Sequence, residues 1–260
     1  MRWANIEYNG EQSYGIIEGD QVALVEGGLF DGGKRTGKTA PLANVKFLVP
    51  LVPRTFYAAG LNYVEHVLES AKSAGREPNI PDKPDIGYRA NNALIAHNEA
   101  IVKPGDSGEL FQYEGELVAV IGKQTKHILE EDALSCVFGY TIGNDVSERT
   151  WQRGDRTFWR GKNSDTFKPM GPWIETDVDL DALETTIRLN GRDVIKFPTN
   201  NMLFGVARYI SAMSRYLTLY PGDVIWMGTE GQSENMVPGD VCEVEISGIG
   251  TLSNPIVAEA

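Results

Sequence analysis

The chain has 260 residues, 42% of them hydrophobic and 23% charged, with a formal net charge of −12. That length suffices for one large core plus a small extra unit, and the acidic balance excludes a nonspecific nucleic-acid binder, which needs a basic footprint. No apolar run reaches the length of a membrane span, and Met1-Arg2-Trp3-Ala4-Asn5 lacks the apolar stretch of a secretory signal, so a cytoplasmic protein with no membrane partner is expected.

In chain order, Trp3 to Tyr8, Tyr14 to Ile17 and Gln21 to Leu24 read as short strands separated by Asn9-Gly10 and Gly19-Asp20 turns. Residues 27–40, rich in Gly, Lys and Thr, read as a loop. The composition shifts at Pro50-Leu51-Val52-Pro53, which divides a small β subdomain (1–50) from a main domain (51–260). A strand over Thr55 to Ala59 and a Gly60 turn open the second part. Residues 63–74 have helical spacing, and Gly75, Pro78, Pro81 and Pro84 make 75–85 a loop suited to a mobile lid. Leu117 to Ile121 and Val137 to Asp145 read as apolar strands, the second with glycines (Gly139, Gly143) that permit close backbone approach. Asn200 to Tyr216 carries apolar residues at helical spacing. Strands follow at Val224–Met227, Val241–Ile246 and Thr251–Val257, with Pro-Gly-Asp turns at 221–223 and 238–240. The fold class is mostly β with some α, without a regular βαβ series. Cys136 and Cys242 lie far apart and are expected as buried, reduced thiols. With His66, His97 and His127 as the three histidines, a structural zinc site is not expected.

The most informative stretch is Tyr113-Glu114-Gly115-Glu116 running into Leu117-Val118-Ala119-Val120-Ile121. Residues two apart on a strand share a face, so Glu114 and Glu116 project together. Adjacent carboxylates with an apolar continuation are costly unless solvated, protonated or bound to a cation. Hard cations such as Mg²⁺ take oxygen ligands, and Asp145, ending the second glycine-bearing strand, is the candidate third ligand. By itself a pair of this kind is usually a wet face. A bound cation would also offset the long-range repulsion that a chain of net −12 exerts on an anionic substrate.

Several motifs occur in one order: Gly60-Leu61-Asn62-Tyr63-Val64-Glu65-His66, Tyr113 to Lys123, Gly139 to Arg149, Arg160 to Phe167, Pro169-Met170-Gly171-Pro172, and Leu219 to Thr229. Together they resemble the fumarylacetoacetate hydrolase family over residues 50–257. The resemblance implies a mixed β-roll, a homodimer, and a Mg²⁺ or Mn²⁺ ion held by Glu114, Glu116 and Asp145. It also implies catalytic roles for His66 and Glu69, with Glu69 orienting His66 one helical turn away, and for Lys162 as an oxyanion stabiliser. Arg149, Gln152 and Thr229 are implied as substrate-binding residues. Two departures bear on the substrate. Many relatives have Phe-x-Lys-Pro where this chain has Gly87-Tyr88-Arg89-Ala90, so Arg89 keeps the charge as a planar fork at a substrate-binding position. Glu230 replaces a proline and either disfavours a dianionic substrate or faces solvent.

The function implied is hydrolysis of a carbon–carbon bond in a small 2-oxo acid of the acylpyruvate (2,4-dioxo acid) type. Here His66 acts as general base and the ion as Lewis acid. Decarboxylation of a 2-oxo acid, or isomerisation of a 2-hydroxydienoate, as in aromatic catabolism, would use the same site. The His66/Glu69 pair favours hydrolysis or decarboxylation over isomerisation. A non-catalytic metal-binding scaffold is the reading from another class.

Overall fold

A computed structural model describes all 260 residues. The N-terminal strands Arg2–Tyr8, Glu11–Glu18 and Gln21–Glu26 form an antiparallel meander. Asn9 and Gly10 both take positive φ, 53° and 79°, as a two-residue hairpin connection requires, and they set the pairing Tyr8↔Glu11. The region expected as a loop at 27–40 contains a fourth strand, Lys34–Pro41, paired with Gln21–Glu26. It is the outermost strand of the sheet, and only Ala40 in it is buried. A polar edge strand has no apolar alternation to betray it, and its lysines discourage edge-to-edge pairing.

Arg2 and Trp3 pair with Glu175 and Ile174, so the meander runs directly into the main sheet. From the N-terminal edge the order is Lys34–Pro41, Gln21–Glu26, Glu11–Glu18, Arg2–Tyr8, Lys168–Glu175, Val137–Asn144, Gly115–Ile121, Val224–Trp226, Phe56–Ala59 and Ile86–Tyr88. Neighbours are antiparallel except Val224–Trp226 with Phe56–Ala59. A second sheet of five strands runs Arg192–Pro198, Glu184–Leu189, Val241–Ile246, Gly250–Ala258 and Ile101–Lys103.

The strand Gly115–Ile121 is buried at every position. Leu117, Ala119 and Ile121 join one core cluster with Ile187, Val244 and Ile246 of the second sheet. Val118 and Val120 join the other, with Trp3, Phe56, Met170 and Trp226. Burial on both sides explains the unbroken apolar run. Glycine is required next to it. A Cβ at Gly143 would sit 2.6 Å from the Trp226 ring, and one at Gly139 would sit 2.6 Å from the Glu175 carbonyl oxygen.

Three α-helices complete the fold: α1, Val64–Ser73; α2, Arg149–Gly154; and α3, Val206–Ser214. The expected helix over 200–216 is shorter at its start. The Leu203 and Phe204 amides donate to the backbone and side-chain oxygens of Asn62, 2.7 and 3.0 Å away, and not into a helical turn. No helix is long and apolar enough to cross a membrane. Both cysteines are buried and free.

Candidate active site

The antiparallel register Gly115↔Asn144 and Glu116↔Gly143 carries Asp145 alongside Glu114. The Asp145 amide donates to the Glu114 carbonyl at 2.8 Å, and the Glu114 amide donates to the Asn144 side-chain oxygen at 3.0 Å. One carboxylate oxygen from each of Glu114, Glu116 and Asp145 lies within 4.8 Å of the others, and all three residues are buried. Two strands in one register therefore bring together the three acids that the sequence placed 31 positions apart, from 114 to 145.

The three carboxylates are not equivalent. Glu114 accepts from Arg149 at 2.7 Å and from Lys162 at 2.5 Å. Burial alone would raise its pKa, but these two cations outweigh it and hold the group at about 2. Asp145 is gripped by Arg89 through Nε and Nη2, by Lys162 at 2.8 Å and by Lys168 at 2.7 Å. Against the opposing effect of burial, Arg89, Lys162 and Lys168 keep it well below the usual carboxylate range. Glu116 has one donor, the Gly228 amide at 2.7 Å. Burial, followed by the charges of Asp145 and Glu114, pushes it up to about 8. A buried carboxylate with one hydrogen bond, facing two others, is the group a hard cation would relieve. The all-oxygen donor set thus fits Mg²⁺ or Mn²⁺, with Glu114, Glu116 and Asp145 as the residues that would hold it.

His66 reaches this triad from α1. Asn62 anchors the helix start by donating to the Met227 and Phe204 carbonyls at 2.8 and 3.1 Å, and the buried Tyr63 hydroxyl donates to the Thr199 carbonyl. Val67 and Ala71 form the buried stripe of the helix. His66 Nε2 lies 3.5 Å from Glu114 Oε1, while Nδ1 faces the Gly231 carbonyl oxygen at 3.1 Å. That carbonyl only accepts, so Nδ1 carries the proton and Nε2 is the basic nitrogen. Burial lowers the His66 pKa and keeps the ring neutral. The expected Glu69–His66 contact is not formed. Glu69 Oε1 lies 3.8 Å from the Lys72 ammonium, one turn further along α1, and Gly231 takes the orienting position.

His66 and Glu69 both line a cleft of about 330 Å³, with Ser70, Ser73, Gln112, Arg149, Gln152 and Arg153 among its other walls. A larger cleft, about 950 Å³, is lined by Arg89; His66 lines only the smaller cleft, and none of the three acids or Lys162 lines either one. Arg149 and Gln152 do share a helix face as expected. Arg149, however, is already engaged by Glu114, by Gln112 at 2.9 Å and by Gln152 at 2.9 Å. The Glu148 carboxylate caps α2 at the Trp151 amide, which fixes where Arg149 and Gln152 begin their turn. Arg89 is occupied by Asp145 and lines the larger cleft, not the one lined by His66. Thr229 is buried and its hydroxyl has no partner. Glu230 does not face solvent: it is buried and accepts from Asn201 at 2.8 Å.

Lys168 is the functional-site residue that sequence reasoning missed. It is fully buried, donates to the Val146 and Phe167 carbonyls, and pairs with Asp145. Burial lowers its pKa. The available signal was a lysine inside the run Phe167-Lys168-Pro169-Met170-Gly171-Pro172-Trp173-Ile174, where a charge needs a counterion.

Fold and site together define a class of enzyme built on mixed β-sheets around a buried acidic triad. Residues 55–257 match the fumarylacetoacetate (FAA) hydrolase C-terminal family, and residues 1–50 match the Rv2993c-like N-terminal family. The chain belongs to the fumarylacetoacetate hydrolase family. It is 38% identical to a 2,4-didehydro-3-deoxy-L-rhamnonate hydrolase of a Sphingomonas species, over 96% of this chain and 94% of that one. It is 37% identical to a mitochondrial oxaloacetate tautomerase of Xenopus laevis, over 83% of this chain and 69% of the other. The structure of 5-carboxymethyl-2-hydroxymuconate delta-isomerase from Mycobacterium smegmatis superposes with a TM-score of 0.90 at 35% identity, covering 100% of both chains.

Proposed function

We propose that this chain is a divalent-metal-dependent hydrolase that cleaves a carbon–carbon bond in an acylpyruvate-like 2,4-dioxo acid. The observation that carries the reading is the neutral His66, its basic Nε2 turned to the Glu114 edge of the buried triad by the Gly231 carbonyl. Held by Glu114, Glu116 and Asp145, a divalent ion would supply Lewis-acid chemistry to the 2-oxo acid.

His66 Nε2 takes a proton from water as the water oxygen bonds to the 4-carbonyl carbon. The Lys162 ammonium, already within the site, stabilises the oxyanion that forms there. The bond between C3 and C4 breaks, its electron pair stays on C3, and C3 takes the proton back from His66. The products are a carboxylic acid and pyruvate. The unpartnered Thr229 hydroxyl supplies a donor for the substrate carboxylate. Arg89 and Lys168 hold Asp145 in place.

One observation favours a second reading. With Glu69 turned to Lys72, the pairing that would have favoured water activation is missing. Tautomerisation or isomerisation needs the same stabilised enolate and one proton shuttle at His66, with no activated water. The tautomerase and isomerase relatives are consistent with this. A panel of 2,4-dioxo acids, 2-hydroxydienoates and oxaloacetate, assayed with and without Mg²⁺ for pyruvate, for CO₂ and for enol absorbance, separates the readings. Metal-dependent pyruvate release with a second carboxylic acid supports hydrolysis. Loss of enol absorbance without bond cleavage replaces it with the isomerase reading.

A further inference from the structure

We infer that Arg153 is the specificity-determining residue at the outer end of the His66 cleft, selecting a 2-oxo acid whose tail carries a second carboxylate; this rests on the proposed 2-oxo acid chemistry. The cleft has an inner end, where His66 and Arg149 meet Glu114, and an outer wall made by α1 and α2. Its charged lining residues, apart from His66, are Glu69, Arg149 and Arg153. Glu69 is paired with Lys72, and Arg149 is neutralised by Glu114. Of these three lining charges, the exposed Arg153 is the one with no carboxylate within ion-pair distance. It is not left to wander: Arg153 Nη2 donates to the Ser73 hydroxyl at 2.7 Å, which ties the last residue of α1 to α2 across the cleft.

The rest of the wall suits an ionic or hydroxylated tail. Ser70, Ser73, Gln152 and Gln232 offer donors, whereas the Ser233 hydroxyl and the Gln112 amide already donate to the Tyr113 carbonyl and to Asn235; the apolar lining is Leu61, Ala74, Leu110 and Phe158. An aromatic or long alkyl tail would strand those donors without partners. A guanidinium presents a fork that matches a carboxylate. Glu230, which from its sequence position threatened to repel a second negative charge, does not line this cleft and is turned to Asn201. The net charge of −12 would otherwise oppose a dianion, so a cation at the cleft mouth has a purpose there.

The test uses paired ligands that lack a 4-oxo group and so cannot be cleaved. 2-Oxoglutarate is compared with 2-oxopentanoate, and 2-oxoadipate with 2-oxohexanoate, by titration calorimetry on the full chain in Mg²⁺. The wild-type protein is expected to bind at least one diacid about tenfold or more tightly than its monoacid, the scale of one charge-assisted contact. Arg153→Gln should bring that ratio to within about twofold, and Arg153→Lys should restore part of it. Equal affinity in the wild type, a preference that survives Arg153→Gln, or no binding of any of the four overturns the inference. A diacid preference lost in Arg153→Gln, in a protein that cleaves no 2,4-dioxo acid, supports the inference and sinks the hydrolase reading alone.

Discussion

Each charged group at the centre of this protein has a different task because each has different neighbours. Glu116 is the carboxylate with the fewest partners, and a cation would serve it most. Glu116→Gln is expected to lower Mn²⁺ affinity by about 100-fold, measured by paramagnetic resonance titration, since a neutral amide oxygen replaces a charged ligand. Full retention of metal affinity would remove Glu116 from the ligand set. His66→Gln should leave Mn²⁺ binding in place and reduce turnover by about 10²–10⁴-fold, the range for loss of a general base. The acids and His66 were legible as single residues. Lys168 was not, because a lone lysine in sequence is normally a solvated charge, and only the pairing of Lys168–Glu175 with Val137–Asn144 puts its ammonium against Asp145. The Glu69 expectation failed for a related reason. Spacing of three places two residues on one helix face, but Lys72 shares that face too, and the Gly231 carbonyl approaches His66 from elsewhere in the chain.

At the level of elements, the site depends on two strands that approach more closely than side chains allow. Gly143 faces Glu116 in register, and its missing Cβ is the space filled by the edge of the buried Trp226 ring. Gly143→Ala is expected to destabilise the protein by about 1–3 kcal/mol, the usual size of overpacking in a filled core, seen as a lower midpoint in urea. An unchanged midpoint would show that Trp226 can move aside. The strand 117–121 was readable because burial on both faces leaves a continuous hydrophobic run, and 137–144 because β-formers alternate with glycines that a close approach requires. Glu184–Leu189 and Arg192–Pro198 were not identified, although Asn190-Gly191 between them is a hairpin signal, with φ of 55° and 75°. Lys34–Pro41 offered no such cue, since a polar edge strand with one buried residue carries no apolar alternation.

For the whole molecule, a metal ion held by the acidic triad would couple its binding to stability. A carboxylate raised to about 8 in the folded state, against an unfolded value of 4.5, binds more protons folded than unfolded. Stability of the metal-stripped protein is therefore fully present below about pH 4.5 as far as Glu116 is concerned, and is lost as pH rises through about 8. Glu114 and Asp145 act in the opposite sense, contributing stability that disappears only as pH falls below their ordinary range. Thermal scans of the EDTA-treated chain between pH 5.5 and 8.5 should show a falling midpoint. Excess Mg²⁺ should raise the midpoint most at the alkaline end. A midpoint insensitive to Mg²⁺ at pH 8.5 would argue against the triad as a metal site.

The sequence by itself determined the mostly β class, the family, the identity of the three acids and the nearby histidine. Those features are written in local patterns, such as period-two alternation, glycine placement and ordered short motifs. Only the tertiary structure decided which cation neutralises which acid, that a carbonyl and not a carboxylate orients His66, and that Arg153, held by Ser73, lines the cleft without a carboxylate partner. The physical reason is that partner choice among buried charges is set by distances of about 3 Å between residues far apart in the chain, and no local pattern records them.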